Sequence, residues 1–166
     1  MKQFYLIFSL LSFSIYAQEK RISPKVSLSD SIEGIPIELT YGQPSVKGRV
    51  IFGDLVPYDK IWRTGANEAT VFENKKALKI GGETLPPDKY SLFTIPGREE
   101  WVVIFNDIHN QWGAYNYDSS KDVLRIKVPV EKTENIVEKL NFYFDEKALI
   151  MEWERSRIVL PINNVN

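Results

Sequence analysis

Between Tyr41 and Thr70 the chain reads Y-G-Q-P-S-V-K-G-R-V-I-F-G-D-L-V-P-Y-D-K-I-W-R-T-G-A-N-E-A-T. The long cations Lys47, Arg49 and Arg63 lie here with Trp62, Asn67 and Glu68, among glycines and prolines. Gln111, Trp112 and Tyr115 are candidate partners from farther along. A guanidinium offers a planar fork of N–H donors to a carboxylate or phosphate, and two of them beside an ammonium can hold an anion in a groove. A loop tryptophan beside glycine can stack on a sugar ring, which favours Trp62 and Trp112 over Trp101, a residue of an alternating strand. The opposed reading of the same residues is bracing, in which Arg63 pairs with Glu68 or Glu154 and pins a long loop to the fold. A third reading makes Glu68 the general acid or base of a hydrolase of carbohydrate or ester bonds, with Arg63 tuning its charge.

Other chemistry is scarce. His109 is the only histidine and cysteine is absent, so the chain offers no zinc site of the His and Cys type, no disulfide and no thiol nucleophile. A Ser-His-Asp arrangement would have to use His109, and no G-x-S-x-G elbow accompanies it. Neither a Walker loop nor a G-x-G-x-x-G occurs, and no cofactor or metal is expected. Paired carboxylates for glycoside chemistry stay open, because spacing in sequence does not report distance in space.

The charges nearly balance, 21 Lys and Arg against 22 Asp and Glu. That argues against a nucleic-acid partner and against a polybasic membrane-surface protein. At the start, Lys2 precedes an apolar run from Phe4 to Ile15, and Ala17 supplies the small residue of a cleavage site. This reads as a signal peptide over residues 1–17, followed by a single β domain over 18–166 that is periplasmic or secreted. The apolar run is shorter than the roughly 20 residues of a membrane span, so no integral segment is expected after its removal.

Farther on, period-two alternation dominates. Ile35, Ile37, Leu39 and Tyr41 alternate with polar residues or proline, and Trp101, Val103 and Phe105 alternate with Val102 and Ile104 in a strand apolar on both faces. Further strands are expected at 50–52, 69–73, 77–80, 90–95, 123–130, 140–144, 148–153 and 158–162, separated by turn residues such as Gly81-Gly82 and Pro96-Gly97. Strands this close, without intervening helices, must run antiparallel. The fold expected is all-β, an antiparallel sandwich or flattened barrel. Its core holds Ile37, Leu39, Leu92, Trp101, Val103, Phe105, Leu124, Ile126, Phe142 and Phe144. One long loop, Asp54 to Gly65, carries a short helical turn with Leu55, Tyr58 and Trp62 at helical offsets. Thr133 to Leu140 reads either as a short helix with Ile136, Val137 and Leu140 inward or as the lead-in to a strand.

The runs V-K-G-R, W-R-T-G-A-N-E-A-T, K-Y-S-L-F-T-I-P-G, N-Q-W-G-A-Y and S-K-D-V-L-R-I-K-V together resemble the secreted bacterial family of domain of unknown function 2911, from Ile22 to Ile162. The resemblance implies the strand reading of Thr133 to Leu140. It also points to Lys47 to Arg49, Trp62 to Thr70 and Asn110 to Tyr115 as the shared positions, and it brings no activity with it.

The residues thus predict a ligand-binding set of Lys47, Arg49, Trp62, Arg63, Asn67, Glu68, Gln111 and Trp112 in a noncatalytic module for a small polar, anionic or carbohydrate ligand. The hydrolase and the braced structural or partner-binding module are its alternatives. The expected geometry couples Arg63 to Glu68, leaves Lys47 and Arg49 with donors free toward a cleft, and sets Trp112 near its rim. For the leader, intact-mass analysis of exported protein should give a chain starting at or near Gln18, and a chain retaining Met1 to Ala17 would end that reading.

Overall fold

The computed structural model describes residues 21–165, so the expected leader and the expected start at Gln18 lie outside the described residues. Nine strands follow one another: β1 (Lys25–Ile32), β2 (Ile35–Gly42), β3 (Thr70–Asn74), β4 (Leu78–Ile80), β5 (Glu83–Leu85), β6 (Lys89–Ile95), β7 (Glu100–Asn106), β8 (Asp122–Asp145) and β9 (Ala148–Asn164). They hydrogen-bond in the order β1-β2-β3-β6-β7-β8-β9-β4-β5, every pair antiparallel. The architecture is an all-β flattened barrel or sandwich, left open between the edge strands β1 and β5. No helix among the described residues is long and apolar enough to cross a membrane.

Two long strands make the layers. The first part of β8 pairs with β7, where Leu124, Ile126 and Val128 lie opposite Phe105, Val103 and Trp101. Its last part pairs with β9, from Asn141 opposite Glu152 to Asp145 opposite Ala148. Between these parts the register slips twice, on either side of Val137. Extra residues in one strand bend it and sharpen its twist, and here they let one strand belong to both layers. Residues freed from β9 pair instead with the chain leaving β2: Val46 N donates to Glu138 O (2.7 Å), and Leu140 N to Pro44 O (2.9 Å). The slips also explain the ambiguity of Thr133 to Leu140. It is strand, and bulges rather than helical winding give its apolar residues their irregular spacing.

In β9 the side chains turned to the main core are Leu149, Met151 and Trp153 in the first stretch and Ser156, Ile158, Leu160 and Ile162 in the second, while Ile150 is buried outside that cluster. The inward set passes from odd to even numbers at Glu154, whose φ of 56° lies in the left-handed region. One continuous strand therefore replaces the two expected at 148–153 and 158–162.

The loop from Asp54 to Gly65 contains no helical turn, against the expectation. Pro57 lacks an N–H, and Asp59 (φ 58°) and Thr64 (φ 56°) are left-handed, so an i to i−4 ladder cannot run. The backbone bonds go outward instead: Asp59 N donates to Pro96 O (2.9 Å), while Trp62 and Thr94 exchange both bonds (2.8 and 2.9 Å). Val50 to Phe52 likewise forms no strand: Ile51 lies in a turn and Phe52 makes only an isolated bridge to Val56. The sole short helix among the described residues is a 3₁₀ turn at Ser119–Lys121. This loop and the one after β7 cover the outer face of β6 and β7, with Phe93 meeting Tyr117 edge to face at 5.1 Å.

Every expected core residue is buried except Phe144, which is partly buried and packs against the core. Phe105 is fully buried and meets Phe72 and Tyr90 edge to face at 5.2 and 6.2 Å. Phe105→Ala should destabilise the fold by about 3–5 kcal/mol in urea unfolding. A loss under about 1 kcal/mol would be that of a surface site.

Candidate functional site

The site begins where two backbones touch. Gly42, the last residue of β2, lies so close to Ala66 that a Cβ would stand 2.0 Å from its carbonyl oxygen, and Ala66 N donates to Gly42 O (3.1 Å). Only glycine tolerates such an approach, which seats the loop from Trp62 to Asn67 across the end of β2. Thr64 then carries an unusual backbone for a β-branched residue. It is held by its buried hydroxyl, which bonds Trp62 O (3.3 Å) and Thr94 Oγ1 (3.1 Å), and by Thr70 Oγ1, which donates to its carbonyl (2.8 Å). Arg63 sits between these two clamped neighbours.

Facing this loop is the V-K-G-R turn. Lys47 (φ 49°) and Gly48 (φ 69°) are both left-handed, and Lys47 N donates to Glu138 Oε1 (2.9 Å). Arg49 folds onto the turn, donating from Nε to Val46 O (3.0 Å) and from Nη2 to Ser45 O (2.6 Å). Between the two loops opens a cleft of about 470 Å³. Its lining includes the polar Lys47, Arg49, Arg63 and Asn67, the apolar Leu55, Val56 and Pro44, and the buried Trp62 and Trp153. The two indoles stack at 5.8 Å with 17° between their planes, and the Trp62 Nε1 donates to Gly65 O (3.2 Å). Ile22 and Ser23 complete one wall, and Asn67 Nδ2 ties that segment down through Ser23 O (3.3 Å).

Among the described residues no aspartate or glutamate lines this cleft. Among the described residues, Lys47, Arg49 and Arg63 enter no ion pair. The Arg63 Nε is buried without a hydrogen-bond partner among the described residues, as is the Trp153 Nε1. Burial pulls the Arg63 guanidinium below its ordinary value, and only the phenol of Tyr115 works against that shift.

The expected pairing of Arg63 with Glu68 is therefore corrected. Glu68 takes a two-pronged bond from Arg21 (2.9 and 2.7 Å), and that partner lowers its carboxyl pKa. Glu154 does not pair with Arg63 either; its Oε1 accepts Ile51 N (3.3 Å). Glu68 and Gln111 border a separate hollow of about 90 Å³ together with His109, on the other side of the loop. Trp112 lines neither space. It is 57% exposed and pairs with Glu68 as a short bridge, flanked by Ala69 N donating to Gln111 O and Gly113 N to Asn67 O (both 3.0 Å). Of the eight predicted residues the cleft thus gathers Lys47, Arg49, Trp62, Arg63 and Asn67, while Gln111 and Trp112 support its wall from behind. Sequence reasoning missed Arg21, Ile22 and Ser23, which carry no local signal, and placed Trp153 only in a strand. Among the described residues no group of His, Cys, Asp and Glu could hold a metal ion.

The chain belongs to the family described as protein of unknown function (DUF2911), whose sequence profile matches residues 23–162. Neither a curated protein nor a solved structure matches the chain.

Because Arg63 has no carboxylate to strand, Arg63→Ala should change stability by less than about 1 kcal/mol, against about 3–5 kcal/mol for breaking a buried pair. A double-mutant cycle should find no coupling between Arg63 and Glu68, and a small, salt-sensitive coupling between Arg21 and Glu68, an exposed pair screened by solvent. The Glu68 pKa is lowered on folding, so the second coupling should be whole above its ordinary value of 4.5 and fade as pH falls through the lower folded value. Coupling between Arg63 and Glu68 like that of a buried pair would restore the bracing reading.

Proposed function

We propose that this protein is an exported, noncatalytic module that binds a small anionic ligand in the cleft of Lys47, Arg49 and Arg63. One observation carries the reading: among the described residues, three cations line a concave site whose lining holds no acid, and none of them is neutralised by an ion pair. Lys47 and Arg49 are exposed, whereas Arg63 is half-buried, and a half-buried cation ordinarily finds a carboxylate within the protein. Left without one among the described residues, Arg63 is suited to a partner that supplies the negative charge, with the two exposed cations beside it. The cleft volume also falls within the about 300–1,000 Å³ usual for small-molecule sites.

A sugar is favoured less than an anion. Stacking needs a free aromatic face, whereas Trp62 and Trp153 stack on each other and Trp112 stands outside the cleft. The hydrolase reading is favoured less still. A general acid needs a raised pKa, and Glu68 is held in the charged form by Arg21, away from the cleft. Export rests on the order of Lys2, Phe4 to Ile15 and Ala17 in the sequence.

A thermal-shift screen of inorganic and organic anions tests the reading. A ligand at about 100 times its dissociation constant should stabilise by about 2.7 kcal/mol, or about 5–10 °C in a domain of this size. Arg49→Ala and Arg63→Ala should abolish the shift and Trp112→Ala should keep it. Hits that stabilise both arginine variants as strongly as wild type would place the ligand elsewhere.

A further inference from the structure

Ahead of β1 the chain runs as an arm along one side of the cleft. Pro24 is still tied to the sheet, where its carbonyl accepts Gln43 N (2.8 Å). Before it, the bonds that hold residues 21–23 come from side chains. Asn67 Nδ2 donates to Ser23 O (3.3 Å), and Arg21 sends both Nη atoms to the Glu68 carboxylate (2.9 and 2.7 Å). Ile22 is 87% exposed, so apolar burial does not pin the arm. Ile22 and Ser23 nevertheless belong to the lining of the cleft, and so does Asn67, the neighbour of Glu68. Two adjacent loop residues therefore carry both anchors of the arm. An arm held at the surface by a few polar bonds is only marginally docked, so the two-pronged bond from Arg21 decides whether that part of the cleft is present.

We infer that Arg21 is a positioning residue of the anion cleft. Through Glu68 it keeps residues 21–23 docked as the wall at Ile22 and Ser23, while it stands outside the lining itself. This rests on the anion-cleft reading and adds to it a residue beyond the cleft that sets affinity. By linkage, a ligand resting against the wall favours the docked arm, and the docked arm favours that ligand by the same factor. A guanidinium suits the task, because two parallel bonds to one carboxylate fix direction as well as distance.

Two probes test this in the wild type, Arg21→Ala, Arg21→Lys and the double variant Arg21→Ala with Glu68→Ala. Inorganic sulfate is small enough to be held by the cations alone, whereas citrate extends over more of the 470 Å³ cleft. Docking of the arm is read without ligand from the ¹H–¹⁵N nuclear Overhauser effect of the Ile22 and Ser23 amides. These amides should be rigid in the wild type and loose in Arg21→Ala. Arg21→Lys should fall between, since lysine keeps the charge and loses the fork. Citrate should bind Arg21→Ala about fivefold more weakly or worse, the low end of coupling between two sites. The double variant has the wild-type net charge and still lacks the latch, so citrate should stay weak there. Sulfate should bind it within about twofold of wild type, as for a surface substitution away from the ligand.

Citrate affinity restored in the double variant would assign the effect of Arg21 to its charge and overturn the wall. Amides that stay rigid in Arg21→Ala, or sulfate weakened as much as citrate, would overturn it too. A wild type that takes sulfate and not citrate would leave the anion reading standing and remove this inference. If neither anion binds, the anion reading itself falls, and this inference with it.

Discussion

The reversal of side-chain phase at Glu154 is the constraint on which the rest of the molecule depends. A strand that faces a core must keep one parity inward, because a slip by a single residue turns every side chain to the other face. In β9 the inward set changes from Leu149, Met151 and Trp153 to Ser156, Ile158, Leu160 and Ile162, with the left-handed Glu154 between them. β8 answers with extra residues around Val137, so the pair bends and stays paired. The bend has local consequences. Glu154 reaches back to the Ile51 backbone, Glu138 takes the backbone of Val46 and Lys47, and Trp153 is the last inward residue before the turn of phase. Rim and floor of the cleft are thus products of one irregularity in one strand pair.

Backbone strain collects around the same place. Lys47, Thr64, Asn67 and Glu154 are all left-handed non-glycine residues that line, flank or support the cleft. Such conformations are uphill, by about 1–3 kcal/mol each, and persist only where neighbouring contacts over-determine them. For Thr64 those contacts are the hydroxyl network with Thr94 and Thr70 and the close packing of Gly42 on Ala66. The scaffold under the site is therefore stiff, which suits binding by directed donors, since preorganised groups lose little freedom when a ligand arrives.

The electrostatics separate two neighbouring polar spaces. On one side of the loop, Arg21 neutralises Glu68, a partly exposed pair of ordinary strength. On the other, Arg63 is half-buried without a counter-ion among the described residues, and its guanidinium stays charged because arginine does not lose its proton at accessible pH. A loop only a few residues long carries both, and Gln111 to Gly113 hold it from behind.

The amino-acid sequence by itself determined the class of fold and the address of the site. Alternation is a local property, and strands such as β2 and β7 declare their buried faces through it. The run from Lys47 to Asn67 was legible because long cations among glycines and tryptophan are rare in a plain loop. β1 was missed because Val26 and Leu28 are its only regular apolar positions before Ile32, and β5 because three residues carry no period. Only the tertiary structure decided who partners whom. Arg21 reaches Glu68 across 47 positions, Glu154 turns to Ile51, and Arg63 and the Trp153 indole each keep a buried donor without a partner among the described residues. Hydrogen bonds and ion pairs depend on separations of a few ångströms in space, which the bulged pairing of β8 and β9 sets and which distance along the chain does not encode.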